Sequence, residues 1–464
     1  MNHSFDPTTL REYDIRGLVG DTLTDADAYA IGRSFGTIVA RAGGTSVAVG
    51  FDGRASSPGF EATLVRGLNE AGVDAVRIGL GPTPMLYFSV YALGCDGGIM
   101  ITGSHNPPAY NGFKMLLADR PFFGADIRQL GQMAATGDWE SGTGHNHAAD
   151  VMDRYVDRLL QDFVPPEGTV QAFTIAWDCG NGVAGPVVER LVKRLPGTHH
   201  LLFTEVDGNF PNHHPDPTDE NNLADLKRVV AETHCDFGVA FDGDADRLGA
   251  VDGKGRVVWG DQLLGILAEP VLKALPGTTI IADVKASQAL FDRVRQLGGK
   301  PLMWKTGHSL IKAKMIETNS PLAGEMSGHI FFKHQYYGFD DGIYAAIRLI
   351  RAVSELGGSL TALKDAMPVM VNTPELRFQS SEDRKFAVVA EVLARLKTAG
   401  ACVDETDGAR VTTADGWWLL RASNTQDVLV ARVEARDAAA LARLQAELAA
   451  QLARSGVTPA LVGH

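Results

Sequence analysis

Gly97-Gly98-Ile99-Met100-Ile101 runs directly into Thr102-Gly103-Ser104-His105-Asn106-Pro107, a small, apolar stretch followed by a polar turn. The first five residues read as a buried parallel strand. Ser104 then lies in the loop at the strand's carboxyl end, where open α/β sheets place their ligands. Gly103 permits a sharp turn beside the serine, and Asn106-Pro107 ends the loop. A hydroxyl held this way suits three roles: nucleophile, phosphate carrier or turn cap.

Outward from this stretch, one pattern recurs three times: strand, helix, strand, helix, then a strand entering a polar loop. Ser46–Phe51 and Ala75–Ile78 read as strands around a helix near Pro58–Ala71, ahead of the Ser104 loop. Phe173–Trp177, Leu201–Phe203 and a helix near Leu223–Thr233 lead to Phe237–Phe241, which opens into Asp242-Gly243-Asp244-Ala245-Asp246-Arg247. Thr279–Ala282 and Pro301–Trp304 lead to Leu322-Ala323-Gly324-Glu325-Met326-Ser327-Gly328-His329. Strands alternating with helices predict parallel sheets covered on both faces. The last hundred or so residues differ. Strands around Leu376–Gln379, Ala409–Thr412, Trp417–Arg421 and Val428–Val433 follow closely, and a helix capped by Asp437 stacks Leu441, Leu444, Leu448 and Leu452.

The fold class is thus α/β: three topologically similar α/β domains with mixed, mainly parallel sheets, plus a C-terminal α+β domain. Seams are expected at 1–150, 151–253, 254–367 and 368–464. A chain of 464 residues exceeds one hydrophobic core. Its net charge of −13 argues against nucleic acid or an anionic membrane as a bulk partner. Cys95, Cys179, Cys235 and Cys402 form no C-x-x-C pair and read as buried small hydrophobes in a reducing compartment. With no secretory signal and no membrane-length apolar run, a cytoplasmic location is expected. The sequence does not specify an oligomeric state, and a monomer fits it.

Asp242, Asp244 and Asp246 alternate with small residues, so in an extended segment all three carboxylates face one side. Such charges repel unless a cation sits among them, and an all-oxygen set suits a hard ion such as Mg²⁺ or Ca²⁺. An EF-hand is excluded because Arg247 and Gly253 stand where that loop needs Gly and Glu. A nucleophile elbow is excluded because Thr102 and Asn106 replace its glycines. His105, adjacent to Ser104, should point away and make a poor base. A phosphorylated serine facing a cation, with Lys114 and Arg247 adding positive charge, fits better.

Gly180-Asn181-Gly182-Val183-Ala184-Gly185 is a formal dinucleotide fingerprint with Glu205 at ribose spacing, so a nicotinamide-dependent dehydrogenase is an alternative; the other reading is tight strand–helix packing. Arg421-Ala422-Ser423-Asn424-Thr425 has the donors for a phosphate monoester, or for a plain hairpin turn. Glu325 and Ser327 alternate and could grip vicinal sugar hydroxyls, with His329 nearby to move a proton. Trp304-Lys305-Thr306-Gly307-His308 offers a second polar loop.

Taken together with Tyr13-Asp14-Ile15-Arg16-Gly17 and Asn111-Gly112-Phe113-Lys114, these motifs resemble the α-D-phosphohexomutase superfamily across nearly the whole chain, most closely its bacterial phosphomannomutase/phosphoglucomutase branch. The resemblance implies four domains around a central cleft and interconversion of hexose 1- and 6-phosphates of mannose, glucose or both. It implies a phosphoserine at Ser104 and a hexose 1,6-bisphosphate that reorients in the cleft and also serves as activator. By the same resemblance Asp242, Asp244, Asp246 and the Ser104 phosphoryl oxygen bind Mg²⁺, and Arg16, Lys114, Arg247 and His329 assist transfer. Tyr13, Lys285, Gly307, His308, Glu325 and Ser327 would contact the sugar, and Arg421, Ser423, Asn424 and Thr425 the idle phosphate. A sugar-phosphate binding protein without catalysis is the remaining alternative. Two departures stand out: Ala245 replaces a usual glycine, which suits metal binding if that position stays extended, and Asp427 brings a carboxylate near the phosphate loop.

Overall fold

The computed structural model describes residues 2–118, 120–164, 168–424 and 426–458. Its first sheet orders the strands Ile15–Leu18, Tyr110–Leu117, Gly97–Ile101, Ser46–Phe51, Asp74–Leu80 and Asn146–Ala148. The second orders Val257–Val258, Leu248–Asp252, Phe237–Phe241, Phe173–Asp178 and Gly197–Leu202, and the third orders Lys300–Trp304, Thr279–Asp283, Leu322–Gly324 and Ile330–Phe332. All three share a four-strand frame of three parallel strands and one antiparallel.

That antiparallel strand matters for the site. Gly97–Ile101, Phe237–Phe241 and Leu322–Gly324 occupy equivalent places, and each turns back into an antiparallel partner: Tyr110–Leu117, Leu248–Asp252 and Ile330–Phe332. The expected polar loops are therefore hairpin connections at the carboxyl ends of equivalent strands. A hairpin holds its loop at both ends by ladder hydrogen bonds, which a free loop entering a helix lacks. The strands Gly97–Ile101 and Phe237–Phe241 are buried at every residue, matching their unbroken apolar runs.

The fourth sheet is wholly antiparallel, with Val428–Ala435 paired to Gly416–Ala422, Leu376–Gln379 and Val371–Asn372. The helix Ala438–Arg454 begins as the sequence signals, with the Asp437 side chain accepting from Ala440 N. It buries Leu444, Leu448 and Leu452, with Leu441 at the margin of that core.

One apolar cluster runs from Met85 through Trp177 and Leu264 to Tyr344, tying the first three sheets together, whereas the fourth has its own core. The seam to the fourth is a small patch of Val284, Trp417 and Leu419, beside which Arg410 lies 3.8 Å from the Trp417 ring and bonds the Val284 and Ala286 carbonyls. So modest an apolar contact favours relative motion of the last unit. Cys402 is exposed, contrary to the expectation that all four cysteines are buried, because it lies by the short edge strand Val403–Asp404. Among the described residues no helix is long and apolar enough to cross a membrane.

Candidate active site

Ser104 occupies the left-handed region at φ 49°, a strained place for serine. What holds it there lies mostly outside its own loop. Asp52, at the end of the neighbouring strand Ser46–Phe51, accepts from Thr102 Oγ1 at 2.9 Å and Gly103 N at 3.0 Å. Thr102 Oγ1 in turn accepts from Ser104 N at 2.8 Å. Arg54, 2% exposed, donates to the carbonyls of Ser104 (2.9 Å), Asn106 (2.6 Å), Pro107 (2.6 Å) and Tyr110 (3.0 Å), with the Phe210 ring 5.2 Å away. Gly103 is needed for this guanidinium, since a Cβ there would stand 2.4 Å from Arg54 Cζ. The glycine thus serves a close approach rather than a sharp turn.

Ser104 Oγ donates to Asp242 Oδ2 at 2.8 Å across the first and second sheets. Contrary to expectation, His105 does not point away: its Nδ1 comes within 3.2 Å of the same hydroxyl, because the left-handed serine turns the next residue back. Burial, with Arg247, Arg16 and Lys114 nearby, keeps the His105 imidazole well below its usual pKa and hence neutral. Arg16 bonds Asp14, Asn106 Oδ1 and the Gly103 carbonyl, and its Nε has no partner among the described residues.

The acidic loop is a turn and not the extended segment expected, with Ala245 N bonding the Asp242 carbonyl at 3.0 Å. The three aspartates, all buried, converge by this turn, and one oxygen of each lies within 4.8 Å of the others. Lys114 Nζ donates to Asp244 at 2.7 Å and to Asp246, and Thr83 Oγ1 donates to Asp244 at 2.6 Å. Burial and the neighbouring carboxylates push Asp242 well above the ordinary carboxylate range. Burial also opposes charge on Asp244, but Lys114 outweighs it and holds that carboxyl far below the range. The Oδ1 atoms of Asp244 and Asp246 have no hydrogen-bonding partner among the described residues. Buried, unpartnered carboxylate oxygens around one point fit a hard divalent cation.

Ala245 does not stay extended: its φ is 61°, the conformation a glycine there would adopt freely. For alanine this costs about 1–2 kcal/mol. Its methyl is fully buried, which returns about 0.8 kcal/mol. Ala245→Gly also gains entropy in the unfolded chain, so the opposing terms should leave urea-unfolding stability within about 1 kcal/mol of the parent.

Arg247 Nε donates to His329 Nε2 at 3.1 Å, joining the second and third hairpin loops. His329 stacks on His308, ring centroids 5.6 Å apart. Glu325 to Gly328 form a turn, so Ser327 does not share a strand face with Glu325, whose carboxylate accepts from Gly307 N at 2.6 Å. Tyr13 OH donates to the Thr306 carbonyl at 2.8 Å and accepts from Asn424 Nδ2 at 2.6 Å, linking three units. Arg421 Nε donates to Asp407 at 2.9 Å, and Lys285 Nζ to Glu375 at 3.2 Å. Ser423 Oγ accepts from Gln426 N, while Thr425 lies outside the described residues. Asp427 is turned outward, its side chain 67% exposed with Lys385 Nζ 3.9 Å away, so water and that cation screen it from the loop.

The fingerprint turn serves packing. A Cβ at Gly182 would stand 2.8 Å from the Gly243 carbonyl, and one at Gly185 1.9 Å from that of Thr204. The turn's backbone thus abuts protein where a dinucleotide would need space, and Glu205 offers its carbonyl to Asn181 Nδ2. Sequence reasoning missed Asp52, Arg54, Thr83, Asp340 and Asp407. Asp52-Gly53-Arg54 was findable, since it follows a buried strand as Ser104 does.

Four family descriptions match in order: phosphoglucomutase/phosphomannomutase alpha/beta/alpha domains I (residues 7–139), II (153–255) and III (259–370), and the C-terminal domain (375–451). The chain is 43% identical over 442 residues to a phosphomannomutase/phosphoglucomutase of Pseudomonas aeruginosa, covering 95% of each. It is 41% identical over 438 residues to a phosphoglucomutase of Neisseria gonorrhoeae, covering 94% of each. A crystal structure of a phosphoglucomutase/phosphomannomutase family protein from Burkholderia thailandensis superposes with TM-score 0.91 at 43% identity, over 97% of this chain and 98% of that one.

Proposed function

The chain belongs to the phosphoglucomutase/phosphomannomutase family and is a phosphohexomutase, an isomerase of hexose phosphates; on that premise we propose how its residues divide the work. Residues 1–150 carry the phosphorylated serine, 151–253 the metal loop, 254–367 the sugar contacts and 368–464 the grip on the idle phosphate. The observation that carries this reading is Ser104 Oγ, 2.8 Å from Asp242, beside carboxylate oxygens that have no partner among the described residues.

Asp242, Asp244 and Asp246, with a phosphoryl oxygen of Ser104, would hold Mg²⁺, which when bound neutralises charge on that phosphoryl group. Ser104 gives its phosphoryl to a free hydroxyl of the hexose phosphate: the Oγ–P bond breaks and His329 takes the sugar hydroxyl's proton. Oγ leaves as an alkoxide whose charge the surrounding Lys114, Arg16 and Arg247 offset until it attacks the returning phosphoryl. The resulting hexose 1,6-bisphosphate turns round in the cleft. Its other phosphoryl then returns to Ser104, and the proton goes back to the freed sugar oxygen. Lys114, Arg16 and Arg247 supply fixed positive charge where the transferring group passes, which is most of what phosphoryl transfer asks of a protein. Arg421, Ser423, Asn424 and Thr425 hold the idle phosphate, with Asp407 yielding Arg421 to it. Tyr13, Lys285, Gly307, His308, Glu325 and Ser327 orient the sugar in either direction.

A grip that makes no hydrogen bond to the sugar's 2-hydroxyl would accept glucose and mannose alike. A coupled assay with Mg²⁺ and a trace of hexose 1,6-bisphosphate should therefore give kcat/KM values for glucose 1-phosphate and mannose 1-phosphate within about tenfold of each other. EDTA should stop both reactions, and neither should need a nicotinamide. Failure to convert either sugar under these conditions would sink the proposal.

A further inference from the structure

Arginine cannot accept a hydrogen bond, so the Arg247 Nε–H directed at His329 Nε2 identifies Nε2 as a lone pair. The ring is then neutral and carries its one proton on Nδ1. Two carboxylate oxygens face that proton: Asp340 Oδ2 at 3.2 Å and Asp246 Oδ1 at 3.5 Å. Neither contact has the geometry of a hydrogen bond, and Nδ1 and both oxygens are without a hydrogen-bonding partner among the described residues. His329, Asp340 and Asp246 are 4%, 0% and 0% exposed, so no solvent takes the place of these contacts.

Asp246 is committed to Lys114 through its other oxygen. Asp340 is held differently. Its Oδ1 accepts from Lys312 Nζ at 2.8 Å, its backbone bridges Phe331 in the strand that follows His329, and His308 Nδ1 stands 3.8 Å from Oδ2. Burial opposes its charge, but Lys312 outweighs that and holds the Asp340 carboxyl well below the ordinary carboxylate range. One ligand atom from each of the three residues lies within 4.8 Å of the others, the spacing of a second cation site. That reading needs the Nδ1 lone pair, which the Arg247 hydrogen bond denies.

We propose that Asp340, anchored by Lys312, is a positioning residue that fixes His329 in its Nδ1–H form and so keeps Nε2 free to take the proton of the sugar hydroxyl. The proposal rests on the reading of His329 as the base. Arg247 covers Nε2 in this structure; drawn to a transferring phosphoryl group, it exposes the lone pair to the hydroxyl. Nothing is oxidised or reduced. The O–H bond of the sugar breaks, an N–H bond forms at Nε2, and the Nδ1 proton stays facing Asp340. The arrangement follows the general logic of a base oriented by a third group.

Asp340→Asn tests this with little change in shape. Lys312 would take the amide oxygen, which turns the amide NH₂ toward Nδ1 and favours the wrong tautomer, with the proton on Nε2. We expect kcat to fall by roughly 10²–10⁴-fold, the range of a lost general base, with KM little changed. In the Asp340→Asn background, His329→Asn should add almost nothing, because the two act as one unit. Asp340→Glu, which restores a carboxylate, should recover part of the rate. Nitrogen-15 spectra of the His329 ring in the Mg²⁺-loaded parent enzyme give a readout that does not depend on a variant folding, and should show protonated Nδ1 and bare Nε2. A parent ring protonated on Nε2, or an Asp340→Asn variant with kcat intact, would overturn the role of Asp340. Additive losses in the double variant would overturn it too. A separate result, His329→Asn at full activity, would instead overturn the reading of His329 as the base.

Discussion

Ser104→Ala is expected to lose turnover by at least about 10³-fold while folding normally. The loss is large because the hydroxyl is the atom to which phosphate is bonded, and no neighbour can replace it: His105 Nδ1 lies 3.2 Å and Asp242 Oδ2 2.8 Å from that oxygen, and neither stands in its place. The fold should survive. The backbone is held by Asp52, Thr102 and Arg54, none of which bonds the serine side chain, and alanine at φ 49° is no more strained than serine. The bonds removed, Oγ to Asp242 Oδ2 and Oγ to His105 Nδ1, should together cost on the order of 1–2 kcal/mol. The coupled mutase assay measures the first effect and urea unfolding the second. Intact-mass spectra should show a phosphorylated fraction in the parent and none in the variant. Parent-level turnover by Ser104→Ala would end the phosphoserine reading.

How much of this was legible in the sequence depended on distance along the chain. The strands Ser46–Phe51 and Phe237–Phe241 were legible to the residue, and Leu376–Gln379 and Ala409–Thr412 in place, because apolar runs bounded by polar turns are local signals. The antiparallel partners Tyr110–Leu117 and Leu248–Asp252 were not, since strand direction is set by pairing and leaves no mark in periodicity. The metal loop shows the same limit on a smaller scale. Its three aspartates were evident, but the turn that joins them, and the positive φ that Ala245 adopts, follow from the Asp242 carbonyl bonding Ala245 N. Contacts between Tyr13, Thr306 and Asn424 span nearly the whole chain, and only a resemblance could suggest them. Asp340 and Asp407 had no signal of either kind, because acidic residues beside turns are common and their partners His329 and Arg421 sit outside any short motif with them.

Arg54 is where a substitution should damage stability and activity together. Arg54→Met removes the donors to four carbonyls and leaves the buried Asp52 without its cation. Breaking a buried ion pair from one side costs about 3–5 kcal/mol. The damage should be uneven, concentrated in the loop that Arg54 spans. Asp52 keeps Ser57 Oγ, Thr102 Oγ1 and Gly103 N, so the start of the loop stays fixed while residues 104–110 lose their shared anchor. Arg54→Lys makes the sharper test. Lysine keeps the charge for Asp52, but one ammonium with three donors cannot reach carbonyls distributed around a planar fork. Its stability should therefore recover part of the loss seen with methionine, whereas kcat should remain low because Ser104 is no longer held in its left-handed conformation. Urea unfolding and the mutase assay on the two variants separate these effects. If Arg54→Lys matched the parent in both, the charge opposite Asp52 would be the whole role of Arg54. The serine's strained conformation would then have to come from the Thr102 and Asp52 bonds alone.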